Sequence, residues 1–91
     1  MNTVDWVKSF VGCDAHSLSC SLKSYGPRGK VNFAVDVPTT IEALQEPLKK
    51  LKHPVWFMVE SCPMAAFVTD AVGPLVDRII VCDTRENHWI S

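Results

Sequence analysis

Ser9–Val37 reads SFVGCDAHSLSCSLKSYGPRGKVNFAVDV, and the pattern in it decides the fold class. Ser9–Asp14 is short and apolar and ends in an acid, as a buried strand does. Ser17–Ser24 alternates, with Leu18, Cys20 and Leu22 on one face and Ser19, Ser21 and Lys23 on the other. Tyr25–Gly29 (YGPRG) is turn chemistry. Val31–Val37 alternates again, Val31, Phe33, Val35 and Val37 against Asn32, Ala34 and Asp36. A side-chain period of two marks a half-buried strand, so the three segments read as an antiparallel meander.

Beyond the meander the period changes. Pro38 stops the strand, and Thr39 with Glu42 has the spacing of a capping box. Ile41, Leu44, Leu48 and Leu51 then recur at helical spacing, interrupted by Pro47, which should kink or divide the helix. Val55–Val59 (VWFMV) is apolar without alternation, the pattern of a central parallel strand covered on both faces, and it runs into Glu60. Pro63 suits a first helical position, and Met64, Phe67, Val68 and Ala71 share one helical face. Gly73–Pro74 ends that helix, and Ile79–Cys82 is a further buried strand ending at Asp83. The expected order is β-β-β-α-β-α-β, an α/β mixed sheet of the RNase H-like (RuvC-like) kind, cut off after its fifth strand.

The chain has 91 residues, one small domain, with 47% hydrophobic and 21% charged residues. Disorder needs low hydrophobicity and high net charge, and neither is present. Nine Lys and Arg face ten Asp and Glu, a net charge of -1. Nucleic-acid binding rests on clustered basic charge. The densest basic stretch, Lys49, Lys50 and Lys52, reads as the solvated face of a helix. Most basic contacts to any nucleic acid are therefore expected outside these residues. Cys13, Cys20, Cys62 and Cys82 form no CxxC pair and read as small buried thiols in a reducing cytoplasm. No signal peptide and no apolar run of ~20 residues is visible, so no membrane is expected as partner.

Asp14 and Glu60 carry the candidate chemistry. Each directly follows an apolar strand, and ligands of open α/β sheets collect at the carboxyl ends of parallel strands. If the first and fourth strands are neighbours, both acids emerge at one edge. Paired carboxylates suit Mg²⁺ (or Mn²⁺), a hard cation that activates a nucleophile and stabilises the leaving oxygen in phosphoryl transfer. Acids at strand ends also serve as ordinary caps for turn amides. Asp83 is a possible third acid, with a turn-forming role as its default. His16 defaults to a surface loop residue, with a phosphate contact as the alternative. A zinc cluster of His16 with Cys13, Cys62 and Cys82 lacks zinc-like spacing. Trp56 and Phe57 read as core, while Trp6 and Trp89 lie near the ends and are expected to be exposed.

Four stretches also carry a resemblance. Val11–Ser17 (VGCDAHS) looks like the "GIDxxK/S" opening of insertion-sequence transposases with an amino-terminal DEDD (RuvC-like) domain. Val37–Leu44 (VPTTIEAL) resembles that family's "NTPEGL" stretch, and Val59–Pro63 (VESCP) its "EATG/EACG" motif. Ile79–Asn87 (IIVCDTREN) resembles its "V-x-V-V-N/D-P-R" strand and turn. The resemblance is collinear and implies that residues 1–91 are a single partial RuvC-like amino-terminal domain. It implies DNA transposition and recombination as the activity, and Asp14 and Glu60 as the first two metal ligands and catalytic acids. DNA is then the partner of the full-length protein, with a guide-type RNA in some relatives and a homo-oligomer as a further association.

The family's D-x-x-D pair and its second domain, with the nucleophilic serine, have no counterpart in these residues. If this is the entire polypeptide, it is expected to be a truncated frame or a fragment that binds metal weakly and cuts nothing. Cys13 stands where the family has an apolar residue, and Pro63 where it has Gly, which restricts how closely a phosphate approaches that turn. Two other classes compete. A non-catalytic interaction module of the same fold would pair through a free strand edge. An actin-like or sugar-kinase-like ATPase half-domain would need a Gly-rich phosphate loop after the first strand, where this chain has His16-Ser17.

Overall fold

The computed structural model describes residues 6–83 and the backbone of His88–Ile90. It shows an α/β fold with one mixed sheet and two helices. The elements are β1 (Ser9–Ala15), β2 (Ser19–Tyr25), β3 (Val31–Pro38), α1 (Ile41–Gln45), β4 (Val55–Glu60), α2 (Ala65–Val72), β5 (Arg78–Asp83) and β6 (His88–Ile90). The spatial order is β3-β2-β1-β4-β5-β6. β1, β4 and β5 are parallel, while β2 and β6 run against their neighbours. The expected series ended at the fifth strand, and the short antiparallel β6 adds an edge beyond it.

The antiparallel meander forms, and its alternation holds on β2 but only in part on β3, where Phe33 and Val37 are half-buried and Val31 and Val35 exposed. Cys20, Leu22 and Ser24 of β2 are buried and the residues between them exposed. Leu18 is not part of that face. It lies in the connection before β2 and is 86% exposed, because the strand begins only at Ser19. The β2–β3 turn closes through the 3-10 turn Pro27–Gly29, where Gly29 holds φ 80, a left-handed conformation that glycine adopts without a Cβ clash.

Both helices begin later than the spacing implied. Thr40, not Thr39, caps α1, its hydroxyl accepting from the Ala43 N–H at 3.2 Å. The capping box therefore fails by one residue, since Ala43 now stands where its glutamate would be. Thr39 instead donates its hydroxyl proton to the His16 carbonyl at 2.7 Å. Pro47 divides the first helix, and Glu46–Leu48 continues as a 3-10 turn. Pro63 lies in the turn ahead of α2, whose cap is Met64.

The core sits on one face of the sheet. Leu44 and Leu48 from the first helical segment and Val68, Ala71 and Val72 of α2 pack on Val11, Leu22, Val55, Phe57 and Val59. The Gln45 amide donates to the Ala71 carbonyl at 2.8 Å and ties the two helices together. β4 was expected to be covered on both faces, and this is corrected. Val55, Phe57 and Val59 are fully buried, whereas Trp56 and Met58, on the opposite face, are half-buried. No described helix covers that second face, and the apolar run there is shielded only by its own aromatic neighbours. Trp56 meets Trp6 and Phe10 edge-on, with ring centroids 5.8 and 6.2 Å apart, and the Arg78 guanidinium lies 4.9 Å from the Trp56 centroid.

The loops that launch β4 and β5 are latched to each other. Asp77 Oδ2 lies 2.6 Å from His53 Nδ1 and accepts from the Val55 N–H at 2.6 Å. The hydrogen bond with His53, then that from Val55, holds the Asp77 carboxyl below its ordinary value. A carboxyl depressed on folding contributes stability above its unfolded value, and this is lost as pH falls through the folded one.

Two predictions follow from the packing and the latch. Phe57→Ala opens a cavity at the centre of the core and should cost about 3–5 kcal/mol in urea unfolding, much of what a domain this size has. Asp77→Asn should flatten the fall of the urea midpoint below pH ~4 relative to the wild type. Parallel pH profiles of the two proteins would exclude the latch as a source of acid sensitivity.

Candidate metal site

The site is built by strand pairing. Cys13 and Val59 are register partners in the parallel pair β1–β4, so Asp14 and Glu60 are the next step on adjacent strands. Neighbouring strands lie ~4.8 Å apart, which sets the two backbones at that spacing. Both side chains are exposed on the face that the helices leave open, since their neighbours Cys13 and Val59 point into the core. Asp14 and Glu60 line the same two clefts. One, of about 340 Å³, includes His16, Cys62 and Pro63, and the other, of about 440 Å³, includes Ser21, Lys23 and Tyr25.

Each acid has a second constraint nearby. Asp14 Oδ2 is 3.3 Å from His16 Nε2. The loop carrying His16 is held by its own N–H on the Ser19 carbonyl and by the Thr39 hydroxyl on its carbonyl. Glu60 is the register partner of Cys82, whose thiol pKa is raised, chiefly by burial and then by the Glu60 charge. The Ser61 N–H donates to the Cys82 carbonyl at 2.7 Å and anchors the turn after Glu60 to β5.

Asp83 is placed differently. It is 9% exposed, and alternation along β5 puts it with Ile79 and Val81 on the helix-bearing face, away from Asp14 and Glu60. No group of three or more His, Cys, Asp or Glu positioned to hold a metal ion occurs among the described residues. The sequence reading passed over Asp36. It pairs with Ser21, which pairs with Asp14, so Asp36, Ser21, Asp14 and Glu60 form one row across four strands. The Ser21 hydroxyl donates to Asp36 Oδ1 at 2.6 Å. Asp36 stands two strand spacings, ~10 Å, from Asp14, too far to share one ion with it but near enough to add to the negative potential. The signal was present in the alternation of β3 and needed the register of two strand pairs to be read.

The cysteines do not complete a zinc site. Among the described residues they form no metal-holding group, and burial, followed by the neighbouring Cys20, pushes the Cys13 thiol up to about 12. The Cys62 thiol contacts the Ala15 carbonyl at 3.8 Å. All four cysteines are free. No helix of the described residues is long and apolar enough to cross a membrane. The side chain of Trp89 and residues 84–87, the latter part of the Ile79–Asn87 resemblance, lie outside the described residues.

The chain matches no family model, no curated protein and no solved structure.

The donor set is two exposed carboxylates on adjacent strands, a hard-oxygen pair that fits a Mg²⁺ or Mn²⁺ ion completing its shell with water and phosphate oxygens. When bound, such an ion lowers the pKa of a coordinated nucleophile and neutralises charge on a phosphate. The residues' own part is to hold two anionic oxygens at one sheet edge, with the His16 imidazole beside Asp14 as a competitor for it.

The thiol environments predict an alkylation order. With a soluble maleimide near pH 7, buried Cys13 and Cys20 should react more slowly than half-buried Cys62 and Cys82, as mapped by mass spectrometry. Rapid labelling of Cys13 in the folded protein would contradict the burial that holds its thiol protonated.

Proposed function

We propose that this chain is the amino-terminal part of an insertion-sequence DNA transposase with an RNase H-like, RuvC-like domain, acting in the cytoplasm. The observation that carries the reading is the position of Asp14 and Glu60 at the carboxyl ends of adjacent parallel strands, each one residue beyond the Cys13–Val59 register pair. The sheet order supports it, because an antiparallel three-strand meander followed by two parallel crossover strands is the order the RNase H fold requires. Collinear resemblance over Val11–Ser17, Val37–Leu44, Val59–Pro63 and Ile79–Asn87 supports it independently of the geometry.

In this reading Asp14 and Glu60 are the first two acids of a metal centre for phosphoryl transfer on DNA. The open sheet face is the side from which the remaining acids and the substrate approach. DNA is the partner of the complete protein, with a guide-type RNA and self-association as further partners. With two acids only, these residues bind Mg²⁺ or Mn²⁺ weakly and do not cleave DNA by themselves.

A second reading is favoured by a specific observation. Trp56, Phe10 and Trp6 leave aromatic surface on the uncovered face, Trp6 being 55% exposed. That is the surface a non-catalytic interaction module of the same fold would use. The ATPase alternative has no such support, since His16 and Ser17 form the β1–β2 connection without a glycine.

Titration with Mn²⁺ under NMR distinguishes the readings. Paramagnetic broadening should centre on amides flanking Asp14 and Glu60 and be lost in both Asp14→Asn and Glu60→Gln. His16→Ala should strengthen it, because it removes the imidazole that lies 3.3 Å from Asp14 Oδ2. Broadening that is absent, or that survives both carboxylate substitutions, would leave the interaction module as the better reading.

A further inference from the structure

The end of the sheet opposite Asp14 and Glu60 holds a second cleft, of about 450 Å³. Lys8, Lys30, Lys50 and Lys52 line it, and Phe33 and Leu51 are among its apolar walls. The four lysines come from separate places in the chain: before β1, before β3, and the segment between α1 and β4. Strand direction brings them together, because β1, β3 and β4 all start at this end of the sheet. Local structure fixes the walls: the Ser9 hydroxyl donates to the Lys52 carbonyl at 2.9 Å, and the Gly26 N–H to the Lys30 carbonyl at 2.6 Å. Among the described residues no acid lines the cleft. All four lysines are exposed, and none has an ion pair or side-chain hydrogen bond among the described residues. Lys49, the remaining lysine of that stretch, is paired with Glu46 at 3.4 Å.

Four unpaired cations around one concavity repel one another, and without a catalytic or structural partner they are a net cost to the folded chain. An anionic ligand converts that cost into binding. The walls narrow the class. An apolar floor with an aromatic ring suits a flat, apolar-faced group, while flexible ammonium rims suit phosphates as point charges. The cleft lies within the ~300–1,000 Å³ range of small-ligand pockets and is too small to admit a duplex. We propose that this lysine-rimmed cleft binds a single strand of nucleic acid, seating an unpaired base on its apolar floor and phosphates on Lys8, Lys30, Lys50 and Lys52. The reading does not depend on a metal at Asp14 and Glu60, and its test can be run in EDTA.

The test is fluorescence anisotropy of the 91-residue chain with labelled oligothymidylate and oligouridylate of about 12 nucleotides, in EDTA, across about 50 to 200 mM salt. Four phosphate contacts on a single strand predict a slope of log affinity against log salt of about -3. Lys30→Gln alone should reduce the slope by about 0.7, and the fourfold Gln variant should weaken binding ~10-fold or more at the lowest salt. Lys49→Gln should change neither. An abasic oligomer of the same length should bind about fivefold or more weaker. The proposal is overturned if the fourfold variant binds as well as wild type, or if no oligomer binds. Equal competition by polyglutamate or by the abasic oligomer would show a general anion surface, and equal competition by ATP a small-phosphate pocket. Either result also overturns it. Because the lysines are exposed and remote from the carboxylates, loss of oligomer binding leaves the Mn²⁺ result untouched, and the reverse holds.

Discussion

The parallel pairing of β1 with β4 is the constraint on which the rest depends. It joins the meander to the crossover half of the chain, and it alone places Asp14 beside Glu60. The pairing is extended at its start by the Lys8 and Ser9 N–H groups, which both donate to the Pro54 carbonyl at 3.0 and 3.1 Å. Its inner face is closed by Val11 and Cys13 from one strand and Val55, Phe57 and Val59 from the other. A one-residue slip would carry those side chains to the open face and turn Asp14 and Glu60 into the core. The burial energy that fixes the register therefore also fixes the carboxylate pair, with no separate interaction needed between the two acids.

Coverage of the sheet on one face only has a direct chemical consequence. Residues of even number on β1 and β4 look out, in rows that change character along the strands. Phe10 and Trp56 form the first row, Gly12 and Met58 the second, and Asp14 and Glu60 the third. The first row shields itself through edge-on rings and the Arg78 guanidinium. The third row is charged, and it stays near water because nothing described covers it. Glycine at position 12 leaves the middle of the face shallow, with open space where a Cβ would stand.

The order of strands and helices was legible in the sequence because it rests on local signals: period-two alternation in Ser19–Tyr25 and Val31–Pro38, and turn chemistry at Pro27–Gly29. The readings that failed turned on tertiary context. Apolar continuity in VWFMV could not distinguish two-sided cover from one helical layer backed by aromatic neighbours. Thr39 and Thr40 are equivalent by composition, and only the demand of the His16 carbonyl for a donor separates them. For the site, strand ends flagged Asp14 and Glu60, whereas the parity that turns Asp83 inward and the two-strand register that aligns Asp36 are products of pairing. The lysine cleft was illegible for the same reason. Lys8 and Lys30 look isolated along the chain, and only the common direction of β1, β3 and β4 gathers them with Lys50 and Lys52.

A net charge of -1 conceals this arrangement. Asp36, Asp14 and Glu60 end β3, β1 and β4, and the four lysines precede the same strands, so the sheet is acidic at one end and basic at the other. The six-residue run from Ser9 to Asp14 spans ~17 Å, about two Debye lengths at physiological salt, so neither cluster neutralises the other. An incoming polyanion is thus drawn to the lysine end and repelled from the carboxylate end unless a divalent cation reverses the local sign there. Net charge measures the sum of two fields that a ligand meets one at a time. Net charge and the lack of a basic cluster along the chain pointed away from these residues as a basic surface, although parallel strand direction is a general means of building one from scattered residues.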